Sequence, residues 1–208
     1  MTYAYVKADQ VVQILNPSMA WTDPATEIQH PSSIFSIWSK TDLANIGLYP
    51  LVSATPPASD FHTMGASSYA FDSVKKEVVE SIASSDKKLD DTLYVDGDDI
   101  PDDKKVGDVA SQGLVNLWIE KTKNTASSLL TPTDWYIIRN TEDNTKSIPS
   151  AVTTHRASVR TACNEIETKI KECDTLDKLK TLFVTPTDSE NKVTGNAPIY
   201  DFPKPYGE

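Results

Sequence analysis

The chain has 208 residues, is 38% hydrophobic and 24% charged, and carries a formal net charge of −10 with a pI of about 4.7. An acidic surface of this kind has no cationic field for phosphate, which excludes nucleic acid and anionic membranes as expected partners. No apolar run approaches the roughly 18 residues of a membrane span, and the opening MTYAYVKADQ has neither the basic nor the apolar region of a signal peptide.

Residues 2–15, TYAYVKADQVVQIL, read as two short strands around a turn at 7–10, with Tyr3, Tyr5, Val11, Val12 and Ile14 as the β-formers. Ser39 or Thr41 is placed to cap a short helix over 42–46, and Gly47 to end it in the left-handed conformation. The segment 48–52, LYPLV, follows as a strand. Phe35, Trp38, Leu43, Ile46 and Leu48 are expected to pack at this helix-to-strand corner. Residues 53–68 read as a loop and 69–79 as a strand.

Nine aspartates lie between 84 and 108, together with Pro101 and two glycines. That composition predicts a solvated, turn-rich linker and a domain boundary. Asp96-Gly97-Asp98-Asp99 lacks the ligand register of an EF-hand loop, so neither calcium nor any other metal or cofactor is expected.

A helix is expected over 108–130 from Val109, Leu114, Leu117, Trp118, Leu129 and Leu130. Farther on, Ile148, Val152, His155, Val159, Ala162, Ile166 and Ile170 recur at intervals of three and four. That is one stripe of an amphipathic helix, with Ser147 as its N-cap and Pro149 in its first turn. Cys163 and Cys173 fall on this helix about 15 Å apart, too far for a disulfide, and are expected as free thiols in a reducing compartment. A further turn or short helix follows over 174–182. The end is an extended, Pro-rich tail whose Ile199, Tyr200, Phe202 and Tyr206 should dock on another surface, either a neighbouring subunit or the chain's own N-terminal module.

Catalytic signatures are thin. The seven glycines are scattered singly, no GxSxG elbow is present, and His30, His62 and His155 lie in different segments. The reading is non-enzymatic.

The densest signal is the stretch 133–160, TDWYIIRNTEDNTKSIPSAVTTHRASVR, which holds all three arginines, Arg139, Arg156 and Arg160. Asp134 is set to cap a short helix over 135–139, with Trp135 packed between that turn and the long helix. Arg156 and Arg160 share a helix face, so one of them stacks on Trp135 or pairs with Asp134. Alternatively the same face grips a partner, since Trp, Tyr and Arg dominate interface hot spots. The candidate partner-binding residues are Trp135, Tyr136, Arg139, Arg156, Arg160, Tyr200, Phe202 and Tyr206.

This stretch, TDW followed by a polar loop, a Pro and an aromatic-Arg-x-x-x-Arg helix, resembles the tail assembly chaperones, or tail-fibre assembly proteins, of tailed phages. The opening hairpin, the segment ending LYPLV and the ending Pro-Ile-Tyr-Asp-Phe-Pro-Lys-Pro are similar to segments of the same family. The resemblance covers 108–160 well, 197–206 loosely and 2–15 weakly. His155 stands where the family commonly has Tyr or Trp, and about thirty-five residues separate the Arg helix from the Pro-rich ending in place of a dozen or so.

The resemblance implies a structural component of a phage tail, tail fibre or baseplate, or a transient assembly chaperone, and remotely a receptor-binding or hydrolytic tail protein. Its partners would be other tail, fibre or baseplate proteins, and a homo-oligomer within a symmetric virion is open. It would reside in the virion tail after assembly in the host cytoplasm, or in the host cytoplasm only. The expected fold is α+β: an N-terminal β-containing module (1–83), the acidic linker (84–107), a helical hairpin (108–182) and the extended tail (183–208).

Overall fold

The computed structural model describes residues 1–207 as a mixed α+β protein of two compact units, Met1–Asp86 and a second from Lys87 onward. Strands of the first unit are β1 (Tyr3–Lys7), β2 (Gln10–Leu15), β3 (Trp21–Thr22), β4 (Gln29–His30), β5 (Leu48–Val52), β6 (His62–Asp72) and β7 (Glu77–Asp86). Two short helices, α1 (Ile34–Ile37) and α2 (Lys40–Asn45), lie between β4 and β5. Five strands form one sheet in the order β2-β1-β5-β7-β6, antiparallel except for the β5–β7 pair. The sheet curls until its edge strands β2 and β6 meet.

Central β1 is covered on both faces. Tyr3 and Tyr5 pack with Leu15, Trp21, Ile34, Leu43 and Leu48, while Ala4 and Val6 pack with Val78. The strand period of two delivers alternate residues to two separate cores. Of the two caps expected, Ser39 serves, for a helix that starts at Lys40 and not at 42, and Asp42 completes a capping box with it. Gly47 adopts φ +77, and a Cβ there would meet the Val6 carbonyl 2.8 Å away, so only glycine fits this corner.

The β1–β2 turn is a two-residue loop with Ala8 at φ 51 and Asp9 at φ 60. Both central residues are left-handed, the form that favours glycine or asparagine. Ala8→Gly removes roughly 1–2 kcal/mol of strain and gives the unfolded chain more freedom. It is expected to raise stability by about 0.5–1 kcal/mol, read as a higher urea midpoint.

The expected single strand over 69–79 is instead the end of β6, a turn at 73–76, and the start of β7. Asp72 accepts hydrogen bonds from the Val74 and Lys75 N–H groups at that turn, which hold its carboxyl below the usual range. Strand β6 therefore also takes in 62–68, expected as loop.

The second unit opens with β8 (Thr92–Leu93) paired to β9 (Val109–Ser111), then α3 (Leu114–Leu130), a 3-10 turn (Thr131–Thr133), α4 (Asp134–Glu142), α5 (Ser150–Lys171) and α6 (Leu176–Thr181). The acidic segment is thus part of a folded unit and not a free linker. Leu114 and Val115 donate their N–H groups to the Lys88 and Leu89 carbonyls, and Gly113 donates to Asp91 Oδ1 at 2.7 Å. The first turn of α3 is capped by chain twenty or more residues upstream. A Cβ on Gly113 would collide with the 89–90 backbone, so this crossing requires glycine. Helix α3 consequently begins at Leu114, and Val109 lies in a strand.

Helix α5 starts at Ser150 with Pro149, not Ser147, at its N-cap. Its buried stripe is Val152, Arg156, Val159, Cys163, Ile166 and Ile170, so Arg156 and Cys163 replace the expected His155 and Ala162. Helices α3 and α5 run antiparallel: His155 faces the Leu129 carbonyl, Val159 and Cys163 cluster with Ala126, and Glu167 reaches Lys123.

The tail folds back on this pair. Ala197 and Ile199 are buried, the Ile199 N–H donates to the Leu182 carbonyl at 3.0 Å, and Phe202 packs on the α3–α5 cluster. The surface it docks on is the helical unit of its own chain. Among the described residues no helix is long and apolar enough to cross a membrane.

Candidate interaction surface

Arg156 gathers Leu130, Thr133 and Asp134 into one network. Only 8% of its surface is exposed. Nη1 donates to the Leu130 carbonyl (3.0 Å), to Thr133 Oγ1 (2.7 Å) and to Asp134 Oδ1 (2.7 Å). Thr133 is fully buried and donates its own hydroxyl to the Leu130 carbonyl at 2.7 Å. One guanidinium therefore ties the end of α3, the 3-10 turn and the start of α4 to the middle of α5. Of the two roles open for the helical arginines, Arg156 takes the pairing with Asp134.

Asp134 does not cap. It is the first residue of α4, Thr133 stands at the N-cap without a side-chain cap bond, and the carboxylate is spent on Arg156. An acidic side chain in a first helical turn still complements the helix dipole.

Trp135 is not core either; 49% of its surface is exposed. Its ring lies 4.0 Å from that of Tyr136, and the Arg139 guanidinium covers both, 4.6 Å from the Trp135 ring and 5.5 Å from the Tyr136 ring. The cation over Trp135 is thus Arg139, and neither Arg156 nor Arg160. Trp135→Ala is expected to cost about 1 kcal/mol, the scale of an exposed cation–π contact, and not the roughly 3–5 kcal/mol of a core aromatic. A thermal melt distinguishes the two.

Tyr206 continues this surface, 6.3 Å from the Tyr136 ring and 5.6 Å from His155. Trp135, Tyr136, Arg139 and Tyr206 are therefore brought together. Ile138, one turn from Trp135 on α4, is exposed as well and carries no motif in the sequence. Tyr200 lies elsewhere, exposed and edge-on to Phe183 at 6.0 Å, and Phe183 in turn packs edge-on to Trp118 at 4.6 Å. Phe202 is a packing residue of the helical unit.

Arg160, exposed one turn beyond Arg156, lines a groove of about 370 Å³ between α3 and α5 together with Lys123, Ala126, Leu130, Asp134, Arg156, Cys163 and Asn164. Lys123 and Asn164 were not legible as site residues, because a polar residue on an outward helix position carries no pattern of its own. Cys163 is a buried free thiol held above its usual pKa by burial and by the nearby Glu167 carboxylate, which keeps it protonated. Burial does the same to Cys173.

Among the described residues no three His, Cys, Asp or Glu side chains converge as a metal site. Two aspartates of the acidic segment serve local turns: Asp98 accepts from the Val95 N–H and Asp108 from the Lys105 N–H. Comparison with protein-family models, with curated proteins and with solved structures gives no match for this chain.

Proposed function

We propose that the protein is a non-enzymatic structural component of a tailed-phage tail, tail fibre or baseplate, acting as a connector through protein–protein contacts. The observation that carries this reading is the surface of α4. Trp135, Tyr136 and Arg139, from the very stretch that resembles the phage family, stack into a pre-ordered, partly exposed aromatic–guanidinium face beside exposed Ile138. Trp, Tyr and Arg are the residues that dominate interface energetics. A stacked, ordered face also loses little side-chain entropy on docking.

In this reading the partners are other tail, fibre or baseplate proteins, and the protein resides in the virion. The family resemblance supports a transient assembly chaperone as the second reading. Mass spectrometry of purified virions separates them, since a connector is present in stoichiometric amount and a chaperone is absent. Within virions, the double variant Trp135→Ala/Arg139→Ala is expected to fold and yet lose incorporation. Wild-type occupancy of that variant would remove α4 as the contact.

A further inference from the structure

We infer that the acidic arm of one copy docks in the cationic α3–α5 groove of a second copy, joining chains head to tail. Two features of the second unit carry this, and each is otherwise unexplained.

The first is the groove. In a chain of net charge −10, Lys123, Arg156 and Arg160 face one concavity against the single carboxylate of Asp134. Its apolar lining comes from Ala126 and Leu130. Arg160 has no ion-pair partner among the described residues, and Lys123 reaches Glu167 only at 3.7 Å with 60% of its side chain exposed. Arg156 is buried and already paired with Asp134 at 2.7 Å, so the exposed guanidinium of Arg160 is the group in the groove that matches an incoming carboxylate.

The second is the arm. The β8–β9 ladder is prolonged by Tyr94 N–H to the Asp108 carbonyl and Gly107 N–H to the Tyr94 carbonyl, both 2.9 Å. Beyond that base, residues 95–106 form a loop bearing Asp96, Asp98, Asp99, Asp102 and Asp103 against Lys104 and Lys105, all exposed. Its shaft exposes Leu93, Val95, Val106 and Val109, at 44–59% of their surface. Solvation accounts for the aspartates but not for four exposed aliphatic side chains on a two-stranded ladder with open edges, which is a surface that a partner covers.

Arm and groove are complementary in both respects. The groove sets three cations and one carboxylate beside apolar lining, and the arm sets five carboxylates and two lysines beside an apolar shaft, so the net signs are opposite. Because the two surfaces differ, the contact is heterologous, and each copy offers one arm and one groove. Such a contact extends to a ring or a filament, and its geometry does not depend on the assignment to a phage particle.

The test is sedimentation velocity on the full chain over a concentration series. Wild type is expected to form species larger than dimers. A groove variant, Lys123→Ala/Arg160→Ala, and an arm variant, Asp96→Asn/Asp99→Asn/Asp102→Asn, are each expected to lose every species above monomer, with circular dichroism melts confirming that both fold. Mixed one to one, they should form a dimer and nothing larger, because one intact arm and one intact groove remain. A monomeric wild type at all concentrations, variants that associate like wild type, or a mixture that stays monomeric would each overturn the contact.

Discussion

Arg156→Ala is expected to lower the stability of the second unit by about 2–4 kcal/mol, read from the urea midpoint of the helical circular dichroism signal. Removing one partner of a buried ion pair typically costs about 3–5 kcal/mol, because the other is left uncompensated. Here the abandoned groups differ in their fate. Asp134 has half of its side chain exposed and regains water, which draws the cost down. Thr133 is fully buried and keeps only its bond to the Leu130 carbonyl, which holds the cost up. Arg156→Lys keeps the charge but not the planar fork, so it should recover part of the loss. Arg160→Ala, one turn away and exposed, should stay within about 0.5 kcal/mol of wild type. Equal midpoints for the two alanine variants would show that the network does not hold α3, α4 and α5 together.

The same residue shows what the sequence could and could not convey. A three-and-four spacing through α5 is satisfied by His155 and Ala162 as well as by Arg156 and Cys163. The polar, charged candidate is naturally rejected for a core position. Only the carbonyl of Leu130, the hydroxyl of Thr133 and the carboxylate of Asp134 make burial of a guanidinium tolerable, and all three are more than twenty residues away. Local signals were read correctly where they are local. The β1–β2 hairpin, the helix cap at Ser39, one of two offered, the turn at Gly47 and the long amphipathic α5 all depend on neighbours in sequence.

The failures are of the opposite kind. The segment 84–108 is polar, yet its start is ordered because 88–91 caps α3 through Asp91 and two backbone carbonyls. No composition rule registers such bonds. The N-terminal half of β6 is an exposed edge with Gly65, Ser67 and Ser68, so it lacks the alternation that marks a half-buried strand. A Trp in a turn next to an apolar helix stripe reads as core, yet Trp135 is exposed. One helical residue turns the side chain by about 100°. Asp134 is engaged with α5, and its neighbour therefore faces away.

Truncation before Ala197 is expected to destabilise the second unit by about 3–5 kcal/mol. The tail was expected to be an extended segment that docks elsewhere, yet its aromatic and aliphatic residues complete the α3–α5 core. Ile199 is 3% exposed, Phe202 covers Ala126, Val159 and Cys163, and Tyr206 rests near Tyr136 and His155. Losing a buried Ile costs about 2–5 kcal/mol, and uncovering Val159 adds to that. The ordering of the tail opposes this, and Pro198, Pro203 and Pro205 weaken that opposition, since proline has little freedom to lose. The net effect is therefore smaller than the apolar burial alone. Two single variants resolve it: Ile199→Ala should cost about 2–3 kcal/mol, whereas Tyr200→Ala, at a ring that is 54% exposed, should cost under about 1 kcal/mol. If the truncated chain unfolds at the wild-type urea concentration, the tail is not part of the fold, and its aromatic residues are free to serve a partner.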